Sequence, residues 1–217
     1  MANRRTLQSI FNHLYKAYGP QHWWPGETPF EIMVGAVLTQ NTAWTNVEKA
    51  IANLKEQGSL SPAAIVDADH DDLAQWIRPS GYFNIKARRL KNFCQWYLDQ
   101  GGFESLKRLE DNDLRHALLS VNGVGAETAD DIMLYAFERP CFVIDAYTRR
   151  LFQRLDLVEG DETYEQLRHW FENTLGPDVG LYNEYHALIV NHAKDICKPK
   201  PQCSSCCLRR RCPARCQ

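Results

Sequence analysis

Apolar residues recur at helical spacing along almost the whole chain, and no stretch alternates in the manner of a strand. Leu7, Ile10, Phe11, Leu14 and Tyr15 fall on one helical face, as do Phe30, Met33, Val34, Val37 and Leu38. This pattern predicts an all-α fold. Glycine and proline interrupt it at Gly19-Pro20, Pro25-Gly26, Gly58 before Ser61-Pro62, Pro79-Ser80-Gly81, Gly101-Gly102, Asn122-Gly123 and Gly176-Pro177. The breaks predict about ten short helices joined by tight turns. With 217 residues, 44% of them hydrophobic, the chain can bury a real core as one or two lobes, and no linker or repeat separates them. Trp23-Trp24 falls in a loop between the first two predicted helices, where large rings either pack on a neighbouring helix or serve a site.

No run of about 18 apolar residues predicts a membrane span, and the start Met-Ala-Asn-Arg-Arg is not a signal core. A soluble, monomeric, cytoplasmic protein without a membrane partner is expected. The net charge of −2 argues by itself against a polyanion partner, but its distribution matters more. Lys194, Lys198, Lys200, Arg209, Arg210, Arg211 and Arg215 face a single acid, Asp195, in the last 24 residues. That tail carries +6, leaving −8 for the rest of the chain. The tail is either a solvated charged end or one face held to a polyanion.

Six of the eight cysteines lie between Cys197 and Cys216, whereas Cys94 and Cys141 stand alone among apolar residues. A chain with its own large core needs no disulfide framework, so the cluster predicts metal ligation. Four thiolates suit either tetrahedral zinc or a 4Fe-4S cluster, and the spacing Cys197-x5-Cys203-x2-Cys206-x5-Cys212 fits both. Cys207 and Cys216 are left over and can substitute for Cys206 or Cys212 if the loop is drawn differently.

At Ser120-Val121-Asn122-Gly123-Val124-Gly125-Ala126-Glu127-Thr128 one predicted helix ends and another begins. The two glycines permit positive φ, and outward N–H groups at the next helix start can bind a phosphate with no basic side chain. About twenty residues on, the apolar run Phe142-Val143-Ile144 meets Asp145, followed by Ala146-Tyr147-Thr148-Arg149-Arg150. Asp145 is a helix N-cap on base rates, or a carboxylate with chemistry to do.

Hairpin, carboxylate and terminal cysteines together resemble the helix-hairpin-helix superfamily of DNA glycosylases, of the endonuclease III type with an iron-sulfur cluster. Gly35-Ala36-Val37-Leu38-Thr39-Gln40-Asn41-Thr42, Ser80-Gly81-Tyr82-Phe83-Asn84-Ile85-Lys86-Ala87 and Tyr185-His186-Ala187-Leu188-Ile189-Val190 extend the likeness nearly end to end. The resemblance implies two helical lobes: a central helical barrel over 27–139 with the hairpin, and a terminal domain from 1–26 plus 140–217 with a cluster loop over 197–212. It implies double-stranded DNA with a damaged base as partner, the damaged nucleotide being flipped into a cleft. It further implies Asp145 as the catalytic carboxylate, Gln40 as the residue filling the vacated gap, and Asn122, Gly123, Val124 and Gly125 as DNA-binding. Cys197, Cys203, Cys206 and Cys212 resemble the ligands of the family's 4Fe-4S cluster, although the family's first gap is usually six residues. Lys198, Lys200, Arg209, Arg210 and Arg211 would then lie on the DNA backbone.

Glu127 departs from the bifunctional pattern, in which a lysine at that position forms a Schiff base. A carboxylate forms no imine, so a monofunctional hydrolase is expected; the bland role of Glu127 is to favour a helix N-terminus. Trp23-Trp24-Pro25, Thr39-Gln40-Asn41-Thr42-Ala43-Trp44 and the Glu127 hairpin most resemble bacterial 3-methyladenine DNA glycosylase of the endonuclease III type. That likeness implies a base pocket of Trp24, Trp44, Trp23 and Glu127, suited to stacking on a cationic purine. The alternatives left open are a mismatch, uracil or oxidised-base glycosylase, an endonuclease III-like lyase, and a non-catalytic DNA-damage-binding module.

Overall fold

The computed structural model describes residues 3–23 and 26–215, and among these the chain forms twelve α-helices and no strand. The all-α expectation holds. Contacts divide the chain into two units, Met1–Trp23 with Pro140–Gln217, and Trp24–Arg139. Helix α1, Arg4–Tyr18, belongs to the first unit. Asn3 caps it by accepting from Thr6 N, and Leu7, Ile10 and Leu14 are buried at the spacing the sequence predicts.

The second unit begins with α2, Pro29–Leu38, capped by Thr28 and started by a proline that has no N–H to leave unsatisfied. Ile32 to Leu38 are all buried, so α2 is an internal helix without a solvent stripe. After it come α3 (Trp44–Glu56), α4 (Pro62–Asp67), α5 (His70–Trp76), α6 (Phe83–Asp99), α7 (Phe103–Leu106), α8 (Asp111–Leu119) and α9 (Ala126–Asp131), of which α3, α6 and α9 pack against α2. A buried π-helical turn, Ile132–Ala136, extends α9 against α2. Lys86, 1% exposed, donates to Leu38 O (2.8 Å) and Ser80 O (2.6 Å), closing the C-terminal end of α2.

The first unit resumes with α10 (Ala146–Arg154), α11 (Tyr164–Leu175) and α12 (Val179–Asp195). Its core is aromatic. Phe142 stacks on Phe171 with centroids 4.1 Å apart, and Tyr185 meets both edge-on while its hydroxyl donates to Leu7 O (2.9 Å). Among the described residues no helix is long and apolar enough to cross a membrane.

Candidate functional site

The turn between α8 and α9 is held from both sides. Val121 and Val124 are buried, Val124 N donates to Val121 O (3.0 Å), and Arg115 of α8 grips the fully buried Asp130 of α9 with two bonds, 2.6 and 3.2 Å. Asn122 and Gly125 stay exposed at the tip. Gly123 has φ +100°, a backbone only glycine adopts easily, and an added Cβ would overlap the Arg89 side chain. Gly125 does not share this property: its φ of −95° is ordinary extended backbone at the N-cap of α9, and a Cβ there meets nothing within 4 Å. Of the two glycines that permit positive φ, only Gly123 uses it.

Gln40 is tied to that turn. Its Nε2 donates to Gly123 O (3.0 Å) and Thr128 Oγ1 (3.1 Å), while Arg89 of α6 donates to its Oε1. Also on α6, Tyr82 caps the helix in the left-handed region (φ +47°) with 68% of its surface exposed. A non-glycine residue held there carries strain.

Trp44 opens α3 half-buried, its ring so close to α2 that a Cβ on Gly35 would stand 3.0 Å from Cη2. Glu127 is exposed in the first turn of α9. Trp24 lies outside the described residues.

In the first unit, Asp145 follows the buried run Phe142-Val143-Ile144 and caps α10, its Oδ1 accepting from Thr148 N at 2.7 Å. Its Oδ2 stands 3.4 Å from Nε2 of the buried His186 on α12. Burial works to raise the Asp145 carboxyl, but His186 and the Thr148 N–H and hydroxyl outweigh it and hold the group below its usual range. Trp23 lies against His186, ring centroids 5.9 Å apart at 45°.

Past α12 the loop returns to α10. Arg154 donates to the carbonyls of Lys198 (2.6 Å) and Pro199 (3.0 Å), and Arg150 to Ala193 O (2.9 Å) and Cys197 O (2.8 Å). Cys197, Cys203, Cys206 and Cys212 line one pocket with His192 and Arg154, and none is in a disulfide. Among the described residues no group of three or more His, Cys, Asp or Glu is arranged to hold a metal ion. Cys207 is not on that wall, and Cys216 lies outside the described residues. His192 is fully buried, bonded to Tyr18 OH at 2.7 Å and kept neutral by burial, which lowers it to about 4. Lys200, Arg209, Arg210 and Arg211 are exposed and Lys198 is half-exposed.

Residues 34–177 match the family described as HhH-GPD superfamily base excision DNA repair protein. The chain belongs to this superfamily. It is 46% identical, over 95% of each chain, to a putative DNA repair glycosylase of Methanocaldococcus jannaschii. It is 32% identical to an H. pylori 3-methyladenine DNA glycosylase solved with 1,N6-ethenoadenine, with a TM-score of 0.73 over 88% of this chain and 95% of that one. A non-covalent endonuclease III–DNA complex shares the fold at TM-score 0.83, with 22% identity over 99% and 97% of the two chains. The activity is that of a DNA glycosylase in base excision repair.

In this HhH-GPD chain the structure joins Gln40 to Gly123 in one unit and Asp145 to Trp23, through His186, in the other. Three residues received no role from the sequence. Arg89 is one of several basic residues on α6 and His186 one polar residue within α12, and only tertiary contacts single them out. Tyr82 had a local signal, an aromatic directly after Gly81 at a helix start.

Proposed function

We propose that the chain is a monofunctional DNA glycosylase that removes an alkylated purine such as 3-methyladenine from double-stranded DNA and leaves the strand intact. The observation that carries this reading is Glu127, exposed in the first turn of α9 where the bifunctional pattern has its lysine. Lys86, a buried amine pushed down to about 8 by desolvation, is committed to two carbonyls and serves the fold. The likeness to a 3-methyladenine glycosylase and the half-buried ring of Trp44 support a cationic purine as the substrate.

In the reaction the bond from the base nitrogen to C1′ breaks with its electron pair leaving on the base. Water bonds to C1′ and gives its proton to the Asp145 carboxylate, which also offsets the positive charge growing on the sugar. A cationic methylated purine departs neutral, so no acid has to protonate it. Gln40, Asn122, Gly123, Val124 and Gly125 hold the DNA, with Tyr82 offering an exposed ring for a base to stack on.

Four unlinked thiols on one pocket wall fit a 4Fe-4S cluster held by Cys197, Cys203, Cys206 and Cys212. Bound there, the cluster would be a structural staple for a basic loop that Arg150 and Arg154 already tie to α10, and it would supply no electrons to a hydrolysis. The protein acts as a monomer.

The test is release of free base from duplexes carrying 3-methyladenine, uracil, a thymine mismatch or an oxidised base, with borohydride added in parallel. Preferential release of 3-methyladenine, strand breaks only after alkali, and no trapped adduct are expected. A covalent adduct, or preference for a neutral base, overturns the reading.

A further inference from the structure

We propose that His186 is a positioning residue of the excision centre, holding the second oxygen of the half-buried Asp145 carboxylate so that the group stays ionised and fixed. The inference rests on the catalytic reading of Asp145 given above.

The geometry divides the work between the two oxygens. Oδ1 is taken by the cap bond from Thr148 N at 2.7 Å, which fixes one end of the carboxylate to α10. Oδ2 faces His186 Nε2 at 3.4 Å, on a different helix. At that distance the donation from Nε2 is weak, and the attraction between the ring and the carboxylate adds to it. His186 is 4% exposed and Trp23 lies beside it, so water cannot readily take its place.

A carboxylate that offsets positive charge on a sugar must be anionic before the bond breaks. Burial alone opposes this, favouring the neutral acid. Other charged groups of the same unit have partners of their own. Arg149 donates to Glu162 O, Arg150 to Ala193 O and Cys197 O, Glu184 accepts from Gln21 N, and Glu172 pairs with Arg168. His22, on the segment that carries Trp23, is exposed to solvent. The counterweight to burial therefore comes from His186 together with Thr148.

The sign follows. In the native protein the Asp145 carboxyl is depressed, so excision persists to low pH and fails only when this group protonates. Removing His186 leaves the desolvation in place and lets the group rise, moving the acid limb of the rate profile to higher pH.

The experiment uses the full-length protein with duplex carrying 3-methyladenine, following single-turnover base release across pH alongside DNA affinity. His186→Phe should slow release about tenfold or more near neutrality, regain rate at higher pH, and leave DNA affinity unchanged. His186→Gln, whose amide can donate to Oδ2, should recover most of the rate. If the Phe variant does not fold, His186→Asn, with its donor drawn back from Oδ2, takes its place with the same expected shift. An unmoved acid limb, or an equal loss of rate at every pH, overturns the proposal. Asp145→Asn separates the two failures: if it retains full excision, the catalytic reading itself falls. If it is inactive while the His186 variants keep a native profile, only the role of His186 falls.

Discussion

Trp44 and Gly35 meet ring against backbone, and their contact shows how one residue can serve both packing and recognition. A methyl at position 35 would press on the indole at 3.0 Å, so the glycine lets the ring lie against α2 while part of it stays accessible. If that ring stacks on a flipped base, Trp44→Ala should cost about 1 to 3 kcal/mol, roughly fivefold to a hundredfold in excision. A cationic lesion loses a cation–π contribution as well, so 3-methyladenine release should suffer more than uracil release. Measuring both lesions, with thermal melting beside them, decides the matter: an unchanged ratio with a collapsed Tm makes the tryptophan a core residue. Asp145 was legible at this scale because a cap residue after an apolar run has a local signature. His186 was not, since a histidine within a helical pattern announces nothing about the helix it faces.

The hairpin is the element where sequence and geometry part in an instructive way. Helix spacing made α1 and α2 readable, because buried faces repeat every three to four residues, and the Gly-x-Gly turn was readable as a break. What the turn does with each glycine was not, because φ is set by the neighbours it must clear. Gly123 sits at φ +100° against Arg89, whereas Gly125 is extended and open. Gly123→Ala should therefore cost about 1 to 3 kcal/mol of strain, a Tm loss of several degrees, and weaken DNA binding by disturbing Arg89 and Gln40. Gly125→Ala should change Tm by less than about 1 °C. Comparable losses in both would mean that the tip, not the backbone conformation, governs the turn. The sequence shows the cysteine spacing of the loop, but not its attachment through Arg150 and Arg154 of α10, since those arginines lie more than forty residues away. Cys203→Ser should give protein lacking the broad absorbance near 400 nm, of roughly the order usual for thiolate-bound clusters. A colourless native protein with one zinc would replace iron in the same pocket.

Across the whole molecule, charge is distributed against the net value. A chain of −2 places +6 in its last 24 residues, and Lys200, Arg209, Arg210 and Arg211 are exposed there. Long-range attraction to a polyanion follows local potential more than the sum, because charges beyond about 10 Å are screened at ordinary salt. A terminal basic patch can thus dock on phosphates even though the remaining residues carry −8. Each phosphate neutralised releases counterions and contributes about 0.9 to the slope of log affinity against log salt. Replacing Arg209, Arg210 and Arg211 together by serine should lower that slope by roughly 2 to 3 if all three touch the backbone, with the single-turnover rate at saturating DNA preserved. The substitution lies in an exposed 3-10 turn with no buried residue, so Tm should hold. An unchanged slope would mean that the arginines are a solvated tail. Binding would then rest on the hairpin amides and Gln40, whose neutral contacts leave little trace in salt.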